Sequence, residues 1–397
     1  MIDPFSVVAL SPRTITVEKA ADALANVKRI NEFMDTAVMV AAWEGAPVKL
    51  VVIPEMAIQG MVANTPGNRA KEAQFAVEIP GPETEELGKK ARQLDAYIAA
   101  ELYMVRDEDF KDRYFNVAFI IDPKGDVIYK RYKATSDAYE GGMLGNMNPH
   151  DVWDEFIEKK GKGDIMEAIF PVARTEIGNI GIVICHEGVY PEIARGLAMN
   201  GAEILIRPTL IEPAVMNGMW ELQNRAHAVF NGVYVVAPNL GPEIRKDGSI
   251  QDLFGGQSMI VNPRGQIVAQ QRGWTSGDSF VCTTIDIEAL RRARIANGLY
   301  NQFKDLRTEQ YRAIYDRPIY PKNQYLKEPP EEGWLAREDA TRAKNIETLI
   351  ERGVLTPPAG YVPKNGKPIT DAAVKTGAAD GANGNPASAA MKTGAGV

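Results

Sequence analysis

Three side chains with complementary chemistry each follow a predicted strand: the thiol of Cys185, the carboxylate of Glu55 and the ammonium of Lys133. A thiolate can attack an electrophilic carbon, a carboxylate can take up the thiol proton, and an ammonium can stabilise the negative charge that develops on the attacked group. If the three side chains meet in one pocket, they predict attack on an amide-like carbon, loss of ammonia or an amine, and a thioester that water hydrolyses.

Cys185 lies between a predicted strand and a predicted helix. The β-branched run Ile180–Ile184 indicates a buried strand, and Pro191 begins a helical pattern that continues to Ala198. A side chain at the carboxyl end of such a strand faces the crevice in which open α/β sheets bind ligands. Backbone N–H groups of the turn, that of His186 among them, lower a thiol pKa from about 8.5 and can hold an oxyanion. The alternative is a small core residue, because free cysteines are among the most buried side chains.

Glu55 and Lys133 occupy similar positions in the sequence. The strand over 48–54 ends at Pro54, which cannot donate to a sheet, so Glu55 is directed off the strand tip. Lys133 ends the run K-R-Y-K after a predicted hairpin over 116–130. Taken singly, a glutamate is more often a solvated loop acid, and a basic run at a hairpin end is usually a solvated edge. The joint occurrence with Cys185 favours the catalytic interpretation.

Composition limits the class of protein. The 397 residues are 45% hydrophobic and 24% charged, with a formal net charge of −7, which does not favour nucleic acid as a partner. Two cysteines are too few for a disulfide framework, and no Cys/His cluster has zinc spacing. The N-terminal ten residues do not resemble a signal peptide, and no apolar run is long enough to span a membrane. We therefore expect a cytoplasmic protein with no metal and no membrane partner.

The hydrophobic pattern alternates between helices and strands. Helices are predicted over 17–34, 80–93 (with a preceding turn), 151–159, 192–198, 216–230, 287–297 and 334–352, and strands over 5–10, 48–54, 96–105, 180–184, 203–207, 234–237 and 280–285, with hairpins over 116–130 and 258–269. The two hairpins resemble each other, which indicates that the unit of strand, helix and hairpin occurs twice. This repetition predicts an α/β fold, a four-layer α-β-β-α sandwich of two similar sheets.

Three regions are expected along the chain. Residues 1–290 form the predicted catalytic domain, 291–356 a C-terminal arm that packs on a partner or on the sandwich, and 357–397 a flexible tail rich in Gly, Ala, Lys and Asn. The weakly patterned segment 141–168 is a candidate pocket wall that could set specificity.

The motifs around the three residues resemble the nitrilase or carbon–nitrogen hydrolase superfamily. They are L-V-V-I-P-E at Glu55, G-D-V-I-Y-K-R-Y-K at Lys133 and I-C-H-E-G-V-Y-P-E at Cys185. The aliphatic amidase and formamidase branch is suggested by A-V-E-I-P-G-P-E-T-E, N-R-A-H-A-V-F-N-G-V-Y-V-V-A-P-N and F-G-G-Q-S-M-I-V-N-P-R-G. The similarity runs from about residue 5 to residue 316. It implies the four-layer sandwich, Cys185 as nucleophile, Glu55 as general base, Lys133 as oxyanion stabiliser, no cofactor, a small-molecule substrate and a homo-oligomer.

The sequence departs from that pattern at several positions. The order Arg131-Tyr132-Lys133 replaces the usual Y-R-K, and Glu140, the candidate second glutamate that positions substrate, lies one residue closer to the lysine than expected. His186 and Glu187 stand where those amidases have two aspartates, and both are candidate substrate-binding residues. Arg207, at the end of the next strand, could face substrate or form a structural salt bridge. For Glu140 and His186 a plain loop or turn role is the alternative.

Other functions use the same residues. A nitrilase attacks a nitrile carbon with the same three side chains and forms a thioimidate, and an N-carbamoyl amide hydrolase shares the superfamily. A non-catalytic scaffold is the alternative from a different class, although the presence of all three core residues argues against it. The sequence predicts an amidase that converts a carboxamide to an acid and ammonia.

Overall fold

The computed structural model describes residues 1–60, 73–135, 146–211, 218–254, 256–271, 277–298 and 301–362. Its strands are β1 (Phe5–Ser11), β2 (Thr14–Ile15), β3 (Val48–Val52), β4 (Tyr97–Arg106), β5 (Tyr114–Ile121), β6 (Val127–Tyr132), β7 (Ala173–Thr175), β8 (Gly178–Ile182), β9 (Ile204–Ile206), β10 (Tyr234–Ala237), β11 (Pro242–Ile244), β12 (Ile250–Leu253), β13 (Met259–Val261), β14 (Ile267–Gln270) and β15 (Ser279–Ile285). The helices in those ranges are α1 (Ala23–Ala41), α2 (Pro82–Leu94), α3 (Trp153–Gly161), α4 (Ile165–Ile169), α5 (Pro191–Met199), α6 (Met219–Asn231), α7 (Ile287–Ile295), α8 (Thr308–Arg312) and α9 (Trp334–Glu351).

Two six-stranded sheets carry the fold. The first has the order β15-β1-β3-β4-β5-β6, and the second has the order β14-β13-β10-β9-β8-β7. In each sheet the three central strands are parallel, β1, β3 and β4 in one and β8, β9 and β10 in the other. The antiparallel hairpins β5–β6 and β13–β14 complete the two sheets. The expected repetition of strand, helix and hairpin is therefore present.

The main core lies between the two sheets. Phe5, Val7 and Ala9 of β1 pack there with residues of the second sheet such as Ile180 and Ile204. Alternate residues of a strand face opposite sides of its sheet, so the neighbours of these side chains need a second cover. That cover is supplied by helices, because helices α1 and α2 contact strands of the first sheet, and residues of α5 and α6 share a second core with β9, β10 and β13. The four-layer sandwich is confirmed.

Helix α1 differs from its prediction at both ends. It was expected over 17–34 but spans Ala23–Ala41. The preceding residues Thr14 and Ile15 pair in parallel with β11, and the Thr16 backbone N–H donates to the Ile244 carbonyl, which keeps this segment extended. The far end continues because Ala37 and Ala41 extend the buried face. The small sheet β12-β11-β2 was not predicted.

The chain divides into two compact units. The first comprises Met1–Arg307 and Lys322–Gly333 and contains both large sheets. The second comprises Thr308–Pro321 and the chain from Trp334, and within it the Tyr320 hydroxyl donates to Glu338 on α9. Most of the predicted tail, from residue 363 onward, lies outside the described residues.

Candidate active site

Strand direction brings the predicted residues to one edge of the sandwich. Strand β3 runs parallel to β4, and β4, β5 and β6 are successively antiparallel, so β3 and β6 end at the same edge of the first sheet. Glu55 follows β3 and Lys133 follows β6. In the second sheet, β8 and β9 are parallel, and Cys185 and Arg207 come just after their ends.

Glu55 is held by two donors. Its side chain is 2% exposed, and Oε1 accepts hydrogen bonds from Asn116 Nδ2 at 3.0 Å and from Lys133 Nζ at 2.9 Å. The turn after Glu55 is also fixed, because Met56 has a φ of 60° and its N–H donates to Glu101 Oε2 at 2.8 Å. The carboxylate therefore occupies one position at the tip of β3.

Lys133 is fixed from both its backbone and its side chain. The residue is 1% exposed, and its backbone N–H donates to the Asn116 carbonyl at 2.9 Å. Its ammonium forms a salt bridge with the carboxylate of Glu55. Asn116 thus contacts the backbone of one predicted catalytic residue and the side chain of another. A buried ion pair of this kind is stabilised because each group supplies the other's counter-charge.

Cys185 occupies a strained turn. It is 3% exposed, and its φ of +46° lies in the left-handed region that non-glycine residues rarely adopt. Such strain typically costs about 1 to 3 kcal/mol and is common at functional positions. The Cys185 N–H donates to the Pro208 carbonyl at 2.9 Å, and Sγ donates to the Leu210 carbonyl at 3.6 Å. Contacts with the loop after β9 therefore hold the turn in place.

Glu187 joins the two halves of the site. Its carboxylate forms a fully buried pair with Arg131, at 2.5 and 2.9 Å. It also accepts the backbone N–H of Ala134 at 2.6 Å and that of Ile184 at 2.7 Å. Ala134 directly follows Lys133, and Ile184 directly precedes Cys185. One carboxylate therefore fastens the chain at the predicted oxyanion stabiliser to the chain at the predicted nucleophile.

Arg207 lies against the backbone of Cys185. The side chain is 1% exposed, and Nε donates to the Cys185 carbonyl at 3.1 Å. Burial lowers the pKa of Arg207 to about 10, while the nearby Cys185, Glu55 and Glu187 act in the opposite direction. The guanidinium remains charged at neutral pH.

His227 supports the same turn from helix α6. Its Nε2 donates to the Gly188 carbonyl at 2.8 Å. Burial, reinforced by the charge of Arg207, lowers the pKa of His227 to about 4, so this imidazole is neutral at physiological pH. The turn after Cys185 is thus held by one charged side chain and one neutral side chain.

Of the other predicted site residues, His186 is described by the structure and Glu140 is not. His186 is half-buried, with its ring 5.9 Å from that of Tyr190. Glu140 lies outside the described residues. Sequence reasoning did not assign Asn116 or Arg131 a place in the site. Asn116 is a polar residue within the otherwise apolar run Y-F-N-V-A-F-I-I. Because a polar side chain in a buried strand needs a hydrogen-bond partner, this pattern could have indicated a place for Asn116 in the site.

Two kinds of feature are absent from the described ranges of the chain. No group of three or more His, Cys, Asp or Glu side chains there could hold a metal ion. No helix there has the length and apolar character needed to cross a bilayer.

The sequence model of the family described as carbon-nitrogen hydrolase matches residues 6–295, so the chain belongs to that family, as its motifs had indicated. It is therefore an enzyme of the carbon–nitrogen hydrolase class. Formamidases from Bacillus cereus and Bacillus thuringiensis are each 30% identical over 296 residues, which cover 74% of this chain and 78% of each relative.

Solved structures show the same fold. A carbon–nitrogen hydrolase from Helicobacter pylori has a TM-score of 0.59 and 20% identity, and the match covers 79% of this chain and 99% of the other. An amidase from Nesterenkonia sp. has a TM-score of 0.53 and 18% identity, with 78% of this chain and 96% of the other covered.

Proposed function

We propose that the protein is a cysteine-dependent amidase that hydrolyses the carbon–nitrogen bond of a small carboxamide, giving a carboxylic acid and ammonia. The observation that carries this proposal is the arrangement of Glu55, Lys133 and Cys185, with the first two in direct contact and the third fastened to them through Glu187. The relatives named formamidase and amidase support the choice of amide as substrate class.

The first half of the proposed reaction forms a thioester. Glu55 takes the thiol proton of Cys185 as Sγ bonds to the amide carbon, and the carbonyl electron pair moves onto oxygen. Lys133 and the backbone N–H of His186 stabilise that oxyanion, and one such donor is typically worth about 10² to 10³ in rate. The carbon–nitrogen bond then breaks, and the leaving nitrogen takes the proton held by Glu55, so ammonia departs and an acyl group remains on sulfur.

The second half regenerates the thiol. Glu55 accepts a proton from water as the water oxygen bonds to the thioester carbon, and the same donors hold the second oxyanion. Collapse breaks the carbon–sulfur bond and returns the proton to Cys185. The buried contacts of Glu55 suit both steps, because one fixed carboxylate alternately accepts and donates the proton.

The remaining predicted residues have different support. The contacts of Glu187 and Arg207 with backbone groups favour a positioning role over substrate contact for both side chains. Glu140 as second glutamate and His186 as a pocket-wall donor stay predictions. Assembly as a homo-oligomer and a cytoplasmic location also stay predictions from the sequence.

Ammonia release from a substrate panel tests the proposal. The panel contains formamide, acetamide, propionamide, acetonitrile and an N-carbamoyl amino acid, each assayed with the wild type and with Glu55→Gln. We expect turnover of at least one simple amide by the wild type and a loss of about 10² to 10⁴-fold in the variant. Turnover of the nitrile alone would replace the proposal with nitrilase activity, and turnover of the N-carbamoyl compound alone would replace it with carbamoyl hydrolysis.

A further inference from the structure

The buried guanidinium of Arg207 contacts the backbone of Cys185, but the reaction steps proposed above do not involve it. Its Nε donates to the carbonyl of Cys185, the residue proposed as nucleophile, at 3.1 Å. A buried cation normally pairs with a carboxylate, because an uncompensated buried charge is costly. In the part of the chain that the structure describes, no carboxylate forms a salt bridge with this guanidinium. Among the described residues, Cys185, Glu55 and Glu187 of the candidate site act electrostatically on it.

Neutral groups fix the guanidinium in place. Nη1 donates to Asn224 Oδ1 at 3.1 Å, and Nη2 donates to Gln223 Oε1 at 2.7 Å. The Trp220 ring lies 4.8 Å from Cζ, within the range of a cation–π contact. All three partners come from helix α6, so this helix sets the position from which Nε reaches the Cys185 carbonyl.

Gly188 leaves the space that the guanidinium fills. A Cβ atom at residue 188 would lie 2.1 Å from Arg207 Cζ and 2.2 Å from Nε, well inside van der Waals contact. Gly188 is not among the glycines with positive φ, so its backbone conformation does not require glycine. The missing side chain is therefore explained by the close approach of Arg207 to this turn.

The bond from Arg207 determines the orientation of one peptide group. In a trans peptide the carbonyl oxygen of one residue and the N–H of the next point in opposite directions. Because Arg207 holds the Cys185 carbonyl on its own side, the His186 N–H is directed away from the guanidinium. Cys185 has the strained φ of +46°, so the turn needs a partner that keeps this peptide from rotating.

We propose that Arg207 is a positioning residue, which locks the Cys185–His186 peptide so that the His186 N–H serves as an oxyanion donor. This inference rests on the proposed amidase mechanism and extends it. Gly188 and helix α6 contribute to the same positioning, because Gly188 makes room for the guanidinium and helix α6 orients it.

Two reactions of Cys185 separate this role from a merely structural one. Amide hydrolysis passes through an oxyanion, whereas alkylation by iodoacetamide displaces iodide at a saturated carbon and forms no oxyanion. We expect Arg207→Lys, which keeps a positive charge beside the thiol but lacks the planar fork that bonds three partners, to lower kcat for the amide about 10²-fold with little change in KM, while the alkylation rate of Cys185 changes less than about threefold. Arg207→Gln should also lose activity, and its alkylation rate should fall as well, because the charge that acts on Cys185 is removed.

Gly188→Ala provides an independent variant. The added Cβ displaces the guanidinium without removing it, so kcat should fall in the same direction while alkylation persists. The matched control is Arg294→Gln, which removes a partly buried arginine that donates to the carbonyls of Gly232 and Ala202, outside the site. This control should keep the wild-type kcat per folded molecule, with the folded fraction of each variant measured by circular dichroism.

The outcomes are distinguishable. Loss of kcat with retained alkylation in Arg207→Lys and Gly188→Ala, which both keep a positive charge at residue 207, supports the inference. A parallel fall of kcat and alkylation in these two variants would overturn it, since the effect would then act on the thiol or on the fold, and an unchanged kcat would overturn it as well. If the wild type hydrolyses no amide while Cys185 still alkylates, it is the proposed function that fails.

Discussion

The two cysteines of this chain have the same side chain in opposite surroundings. Cys185 follows a central strand of the second sheet, on a strained turn held by Arg207, Glu187 and the backbone carbonyls of Pro208 and Leu210. Cys282 lies within the edge strand β15, paired with β1, and its thiol donates to Glu44 at 3.7 Å. Burial, with the charge of Glu44 added, raises the pKa of Cys282 to about 11.

This difference indicates that the position of a cysteine, more than its residue type, decides whether its thiol is suited to act as a nucleophile. A thiol in mid-strand beside a carboxylate is kept protonated, because a thiolate there would be desolvated and repelled. A thiol at the carboxyl end of a parallel strand meets backbone donors and side chains from several elements.

The largest expected effect is on turnover. Cys185→Ala should lower amide hydrolysis at least about 10⁴-fold, since removal of a nucleophile abolishes the covalent route. Cys282→Ala should leave kcat unchanged. The measurement is the rate of ammonia release by the two variants, and thermal unfolding checks that both are folded. An equal loss of activity in both variants would show that the two cysteines do not differ in their importance for turnover.

A smaller effect is expected on stability. Glu187→Gln leaves Arg131 buried without its counter-charge, which typically costs about 3 to 5 kcal/mol. Glu44→Gln alters an exposed carboxylate and should change the free energy of unfolding by less than about 0.5 kcal/mol. Urea denaturation of both variants checks this. A Glu187 variant as stable as the wild type would show that the buried pair does not fasten the site.

Thiol alkylation compares the two regions directly. At pH 8 a thiol with a pKa of about 11 is ionised in about one molecule in a thousand, so Cys282 should react slowly. We expect iodoacetamide to modify Cys185 at least about 100-fold faster, as peptide mass spectrometry after timed quenching will show. Glu44→Gln should raise the Cys282 rate, because one source of its raised pKa is removed. Faster labelling of Cys282 than of Cys185 in the wild type would contradict the contrast.

The smallest effect concerns acid stability of the Cys185 region. The folded-state pKa of His227 is about 4, below the ordinary value of 6.5, so the unfolded chain binds its proton first as the pH falls. The stabilisation is complete above about pH 6.5 and is lost on acidification to about pH 4, about 3 kcal/mol in total. His227→Gln should flatten that part of the stability profile. A variant with the wild-type pH dependence would place the titrating group elsewhere.

Much of this architecture was predictable because it is local in sequence. The apolar runs that became β1, β8 and β10 and the hairpin turns at Gly125 and Gly265 are read from neighbouring residues. The sheet β12-β11-β2 was missed, since its short strands form only when residues about 230 positions apart pair.

In the candidate site, too, the local features were predictable from the sequence and the contacts between distant residues were not. Residue type and strand ends identified Glu55, Lys133 and Cys185 as a possible site. The contacts of Glu187 with Ala134 and of Arg207 with Gln223 join separate elements, so no local pattern encodes them. The sequence does not show the partners of either residue, which is why it made Glu187 a candidate for substrate binding and left Arg207 between substrate contact and a structural salt bridge.

The central claim is that an acyl group is carried on Cys185 during turnover, and trapping that species tests it most directly. The protein is mixed with an amide that it hydrolyses, quenched in acid within the first turnovers, and digested for peptide mass spectrometry. We predict a mass increase equal to the acyl group on the Cys185 peptide, absent from the Cys282 peptide and absent after Cys185→Ala. Ammonia release from a wild-type protein whose Cys185 peptide never carries the acyl group, or carries it no more than the Cys282 peptide does, would contradict the account.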